Sequence, residues 1–190
     1  MSERADIKPS VLLSRRTFLT TVAGAAMSLA APGVIAAAAS APQRDRELSF
    51  YNTHTGEKLT ATFWSDGKYL DDGIEEISWL LRDHRAEEAS AMDPKLLDLL
   101  HTVQHKVGQA GEFHVISGYR SPGTNARLRQ RSKGVAKRSL HMRGMAVDVR
   151  LPGRELKDLM RTAKRLNAGG VGYYPKPDFI HIDTGRVRSW

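Results

Sequence analysis

The sequence predicts an α+β fold: a single small domain with a central antiparallel sheet, flanking helices and an N-terminal β-hairpin. Three observations predict it. Short runs that alternate apolar and polar residues, the pattern of half-buried strands, recur along the chain. Between them lie stretches whose apolar residues fall three and four apart, as an amphipathic helix requires. Strands and helices mix without the regular alternation that a parallel βαβ sheet needs.

The elements follow in chain order. Residues 48–52 and 59–64 alternate, and the six residues between them contain Gly56, which makes a hairpin. Asp66-Gly67-Lys68 is a further turn. Ile74, Ile77, Leu80 and Leu81 mark one face of a helix running to about Arg85. Asp93-Pro94 is a helix start, a capping carboxylate followed by proline in the first turn. Its apolar face runs from Leu96 to Val107, and Gly108 ends it. His101 and His105 lie four apart on this helix, a spacing that can bind zinc, although no Glu follows His101 as in H-E-x-x-H.

Residues 112–117 read as a strand, followed by the turn Gly118-Tyr119-Arg120-Ser121-Pro122-Gly123 and a polar, basic helix from Thr124 to Lys133. Residues 145–150 alternate, with Ala146, Asp148 and Arg150 on one face and Met145, Val147 and Val149 on the other. A helix over 154–167 carries Leu156, Leu159, Met160, Ala163 and Leu166 on one side and stops at Gly169-Gly170. Residues 171–174 and 179–183 form a second hairpin around Pro175 and Pro177.

Residues 1–41 form a leader rather than part of the fold, and residues 42–190 form the domain. Ser14-Arg15-Arg16-Thr17-Phe18-Leu19 is a twin-arginine motif. An uncharged, weakly apolar stretch follows, then small residues offering A-x-A cleavage between Ala38 and Ala41. The apolar run is too short for a membrane span. The twin-arginine route carries folded proteins, which predicts a periplasmic destination for a domain loaded with metal before export.

The chain has no cysteine, which excludes a disulfide framework, a thiolate nucleophile and Cys-ligated zinc. The formal net charge is +8, a basic balance that favours a polyanionic partner such as an acidic wall polymer. The export leader and the lack of any nucleic-acid motif argue against nucleic acid.

The chemistry concentrates in Ser139-Leu140-His141-Met142-Arg143-Gly144-Met145-Ala146-Val147-Asp148 and in Phe179-Ile180-His181-Ile182-Asp183. Asp148 sits in a strand of apolar and small residues, where a lone carboxylate is costly unless paired or metal-bound. His141 lies just upstream in a loop that Gly144 lets fold back. His181 shares a strand face with Phe179 and Asp183. Two histidines and an aspartate make a set of three protein ligands that leaves one zinc position open. The alternative is a pair of core histidines with a salt-bridged Asp148. Catalysis at such a site needs a general base and a cation for the oxyanion. Asp178 and Asp183 are the acids beside His181, and Arg120 is the cation. Tyr119, Tyr173 and Tyr174 flank a cleft or pack in the core, the basic residues between Arg127 and Arg138 lead towards His141, and Trp190 packs.

Ser139-x-His141-x-x-Gly144-x-Ala146-x-Asp148 resembles the signature of the LAS metallopeptidases, the lysostaphin, D-Ala-D-Ala peptidase and hedgehog-like zinc enzymes. Ser117-Gly118-Tyr119-Arg120-Ser121 is similar to the same family's arginine-bearing turn. Tyr174-Pro175, the run from Phe179 to Gly185, and Val187-Arg188-x-Trp190 resemble its YcbK branch of exported murein endopeptidases of the MepK type. The likeness covers residues 47–190. It implies Zn2+ held by His141, Asp148 and His181, with Arg120 steadying the carbonyl oxygen. It implies hydrolysis of peptidoglycan peptide cross-links by a monomer, with adaptor or wall-synthesis proteins as transient partners. Some relatives place an acid three residues before the last ligand, where this chain has Asp178. Others use a histidine two before it, where this chain has Phe179. Asp183 is the rival base, or a residue orienting a ligand. A D,D- or L,D-carboxypeptidase trimming stem peptides and a non-catalytic wall-binding protein are the alternative functions.

Overall fold

The computed structural model of the chain describes residues 44–108 and 111–190; the leader read at residues 1–41 lies outside them. Eight strands and four α-helices follow the order β1 (Arg46–Asn52), β2 (Lys58–Ser65), β3 (Lys68–Tyr69), α1 (Asp71–Leu80), α2 (Pro94–Lys106), β4 (Glu112–Ser117), α3 (Pro122–Arg131), β5 (Ala146–Arg150), α4 (Leu156–Arg165), β6 (Gly170–Tyr174), β7 (Phe179–Asp183) and β8 (Arg188–Ser189). One sheet holds all eight strands in the order β3-β2-β1-β4-β5-β7-β6-β8. No described helix is long and apolar enough to cross a membrane.

The sheet is mixed, where the sequence predicts an antiparallel one. β1 and β4 run parallel, as do β6 and β8; the other neighbours are antiparallel. The β1-to-β4 connection contains β2, β3, α1 and α2, long enough for the crossover that parallel neighbours need. β3 and β8 have two residues each, too short to show an alternation in sequence.

Strand pleating sorts the side chains between two faces. Leu48, Phe50, Phe63, Phe113, Val115, Val147, Val149, Ile180 and Ile182 belong to a single core cluster. Leu96, Leu97, Leu100 and Val103 of α2 join it, with Ile77 and Leu80 of α1 and Leu159 and Ala163 of α4. The opposite face of β5 and β7 carries Asp148, His181 and Asp183, and the candidate site is built there.

Of the helix ends that differ from the sequence reading, two bear on the site. α3 starts at Pro122, because the Ser121 side chain accepts from the Thr124 N–H and caps it. α1 stops at Leu80 instead of continuing to Arg85. Beyond it Asp83 takes over the chain's hydrogen bonding. Its carboxylate accepts the backbone N–H of Arg85 at 3.1 Å and of Ser121 at 2.9 Å, while its own N–H donates to Glu88 at 2.8 Å. A short polar side chain that captures nearby backbone donors ends helices in this way.

Asp83 thereby holds the turn that carries Arg120. Burial alone would raise its pKa, but hydrogen bonds from Thr124, Ser121 and Arg85 outweigh that and hold it below the ordinary value of 3.8. The ionised form is therefore the stabilising one. Its contribution is complete above the unfolded pKa and is lost as pH falls through the lower folded pKa. Asp83→Asn is expected to cost about 1–3 kcal/mol at neutral pH and to flatten the acid-side decline in Tm, as thermal melts from neutral pH to about pH 3 would read.

Candidate metal centre

Each residue of the centre is placed by a local feature of the chain. His141 sits in a one-turn 3-10 helix, Leu140–Arg143. Gly144 closes that turn at φ +64°, and a side chain there would run into the backbone of Ala91. Only glycine meets both demands without strain. The Arg120 N–H donates to the His141 carbonyl at 3.2 Å, which joins this turn to the Gly118–Ser121 turn. Asp148 and His181 are direct cross-strand partners in the β5–β7 register, and Gly172 is the partner of His181 on β6.

His141, Asp148 and His181 are all buried, and their ligand atoms lie within 4.8 Å of one another. His141 Nε2 is 3.2 Å from His181 Nδ1 and 3.3 Å from Asp148 Oδ1; His181 Nδ1 is 2.9 Å from the same oxygen. The far side of each ring settles its tautomer. His141 Nδ1 lies 2.8 Å from the Gly118 carbonyl, which can only accept, so Nδ1 carries the hydrogen. His181 Nε2 lies 2.9 Å from Asp183 Oδ2 and donates to that carboxylate in the same way. In the neutral rings His141 Nε2 and His181 Nδ1 are then bare. Two nitrogen lone pairs and a carboxylate oxygen converge on one point with no hydrogen among them. Such a set requires a positive charge at its centre, and its donor types suit a divalent metal.

The electrostatics carry the same sign. Burial opposes ionisation of Asp148, yet His141 and His181 overcome it and hold its pKa well below the carboxylate range. Burial likewise opposes protonation of His181, but Asp148 and Asp183 outweigh it and raise its pKa above 6.5. Metal ions and protons compete for such a site, so metal retention should fall on acidification.

Asp183 is 0% exposed and its oxygens are fully engaged. Oδ1 accepts the N–H groups of Gly170 (2.9 Å) and Gly185 (2.8 Å), and Oδ2 accepts from His181. Arg188 bridges both oxygens at 3.1 and 2.7 Å. Asp178 lies in the β6–β7 turn at φ +56°, its side chain 59% exposed and 3.3 Å from Arg150 Nη1. By strand alternation Arg150 shares a face with Asp148, so Asp178 stands two residues along β5 from the cluster. Arg120 Nη2 donates to Ser117 Oγ at 3.0 Å and to Asp148 Oδ2 at 3.3 Å, while its buried Nε has no partner.

A cleft of about 290 Å³ opens over the three converging groups. Arg120, Arg138, Tyr174, Phe179, Arg188 and Trp190 line it. Trp190, read from the sequence as a packing residue, is 51% exposed, with its ring 5.3 Å from that of His181. Its Nε1 donates to Tyr174 Oη at 2.7 Å. Gly172, opposite His181, leaves the space that its indole fills. Tyr119 and Tyr173 pack against the core instead. Arg188 begins β8, a strand too short to have a period, and Trp190 follows it; the resemblance at the chain's end is the one signal that marks them.

The remaining histidines stand elsewhere. His54 stacks on His84 with ring centroids 4.1 Å apart, His114 packs edge-on against Tyr51, and His101 pairs with His105. Among the described residues, His141, Asp148 and His181 are the one group of three able to hold a metal through closely spaced ligand atoms.

A profile of the M15 peptidase family described as "Peptidoglycan L,D-endopeptidase MepK" matches residues 39–190. The chain belongs to this family. It is 39% identical over 177 residues to the peptidoglycan L,D-endopeptidase MepK of Escherichia coli K12, covering 93% of this chain and 97% of that protein. The Shigella flexneri protein of the same name gives the same figures. A probable MepK of Haemophilus influenzae is 41% identical over 160 residues, covering 84% of this chain and 86% of its own length. The MepK match spans every strand and helix described above, including β8 and Trp190.

Proposed function

We propose that this chain is a zinc-dependent endopeptidase that hydrolyses peptide cross-links in peptidoglycan and works in the periplasm. The observation that carries the reading is the convergence of three lone-pair donors beneath a cleft lined by Arg120. Membership of the MepK family supplies the reaction class, that of a peptidoglycan hydrolase. The relatives are named L,D-endopeptidases, which favours a cross-link joining an L-centre to a D-centre, as in mDAP–mDAP, over the D-Ala–mDAP link. The leader motif at Arg15 and Arg16 supports export by the twin-arginine route.

His141, Asp148 and His181 hold the metal. The chemistry zinc supplies with three protein ligands is Lewis acidity, which polarises a carbonyl and acidifies a water. The protein's part is orientation and charge. Gly118 and Asp183 keep the two imidazoles in the ligating tautomer. Arg120 offers a desolvated cation to the developing oxyanion; burial lowers its pKa, but an arginine remains charged. Tyr174, Phe179 and Trp190 wall the cleft and exclude water from the bound peptide.

Asp178 is assigned as the general base and Asp183 as a positioning residue. Asp183 already accepts from His181, Arg188 and two backbone N–H groups, which leaves it no lone pair directed at substrate. Asp178 is held by one solvent-exposed contact with Arg150, which a bound substrate can displace. Asp178→Asn should lower kcat about 10²-fold with metal content unchanged; normal turnover would remove it from the role. Asp183→Asn should weaken metal affinity about 10–100-fold, and zinc titration would read this directly.

The deciding experiment digests purified cross-linked muropeptide dimers with and without a chelator, read by mass spectrometry. Chelator-sensitive conversion of dimers to monomers is expected. Intact dimers with shortened stems would make the chain a carboxypeptidase, and untouched dimers with the central metal bound would make it a wall-binding protein.

A further inference from the structure

His101 and His105 serve none of the steps above. They project from successive turns of α2, and their geometry is that of a metal pair. Their Nε2 atoms lie 3.1 Å apart, close to the 3.2 Å between His141 Nε2 and His181 Nδ1. At a metal–nitrogen distance of about 2.05 Å, two nitrogens this far apart subtend roughly 98° at a common ion, between the square and tetrahedral angles.

The surroundings suit a cation. A cleft of about 430 Å³ adjoins the pair, and Asp45, Glu47 and Ser49 line it with oxygen donors beside Gln104. Arg46 is the nearby cation, and it is committed elsewhere: it bonds Asp98 Oδ1 at 2.6 Å and lies over the Trp64 ring at 4.5 Å. His101 packs edge-on against Phe63, which restricts its ring. Without an ion, one ring must donate its Nε2 hydrogen to the other. With an ion, both rings place Nε2 lone pairs on it, and water from the adjoining cleft completes the shell.

We infer that His101 and His105 form a second, peripheral two-histidine site for a late first-row divalent cation such as Zn2+, with water in the remaining positions. The imidazole pair selects this class over Mg2+ or Ca2+, which prefer all-oxygen sites. An ion bound there bridges two turns of α2, and none of the residues around it lines the cleft over the central site. The inference is independent of the central site.

The test measures zinc per chain by equilibrium dialysis at low micromolar free zinc, on the metal-stripped protein and two variants. His105→Ala alters an exposed side chain, and circular dichroism would check its fold. The expected contents are two ions in the parent, one in His105→Ala and one in His181→Ala, with hydrolysis retained in His105→Ala. A parent content of one ion that His105→Ala loses would uphold the peripheral site and sink the central one. Equal content in the parent and His105→Ala would overturn the peripheral site whatever the central site does. As a second reading, Cu2+ bound to His181→Ala should show nitrogen hyperfine structure from two imidazoles in its electron paramagnetic resonance spectrum; its persistence after His101→Gln would also overturn the assignment.

Discussion

His181→Ala is expected to abolish retention of the central metal and hydrolysis together, with kcat/KM falling on the order of 10³-fold or more, since a metal supplies several kcal/mol of charge stabilisation. The effect is large because His181 joins both halves of the centre. Its Nδ1 faces Asp148 and His141, and its Nε2 anchors on Asp183, which Arg188 clamps. Removing the ring leaves Asp148 and Asp183 as buried carboxylates without the group between them. A buried charge stripped of its partner is destabilising, so the variant should also melt at lower temperature. Metal analysis on the folded variant is the check; near-normal zinc content would overturn the ligand assignment.

Arg120→Ala should show the opposite split. Hydrolysis falls on the order of 10²–10³-fold, the usual cost of losing one oxyanion donor, while zinc stays bound. The separation is expected because Arg120 touches Asp148 through Oδ2, whereas both histidines approach Oδ1. Lys at this position should restore part of the rate, as charge returns without the planar fork. The loss should fall mainly on kcat, since the contact strengthens as charge develops on the carbonyl oxygen. Unchanged turnover in Arg120→Ala would remove it from the oxyanion role.

Much of this centre is legible in the order of the residues. The alternation in residues 145–150 puts Asp148 on the face opposite Val147 and Val149, and that face is where it stands. The same period separates His181 and Asp183 from Ile180 and Ile182. Gly144 reads as the residue that lets the loop fold back, and it has φ +64°. These features are local: a residue's face depends on its neighbours two positions away, and a tight turn depends on one backbone angle.

What lies beyond the sequence is what joins distant segments. His141 and His181 are 40 residues apart, and the β5–β7 register brings Asp148 opposite His181. The occupation of Asp183, which separates an orienting role from proton transfer, depends on Arg188, Gly170 and Gly185 converging on one carboxylate. The parallel pairing of β1 with β4 and the cleft position of Trp190 belong to the same class. By itself the sequence determined which residues turn inward, where α2 is capped, and which groups are chemically fit to ligate a metal. Tertiary structure alone decided which of those groups meet and which ring nitrogen each histidine presents. Hydrophobic periodicity records burial along one element, whereas ligation depends on strand register and on the hydrogen bond at the far side of each ring, made by residues that no local pattern connects.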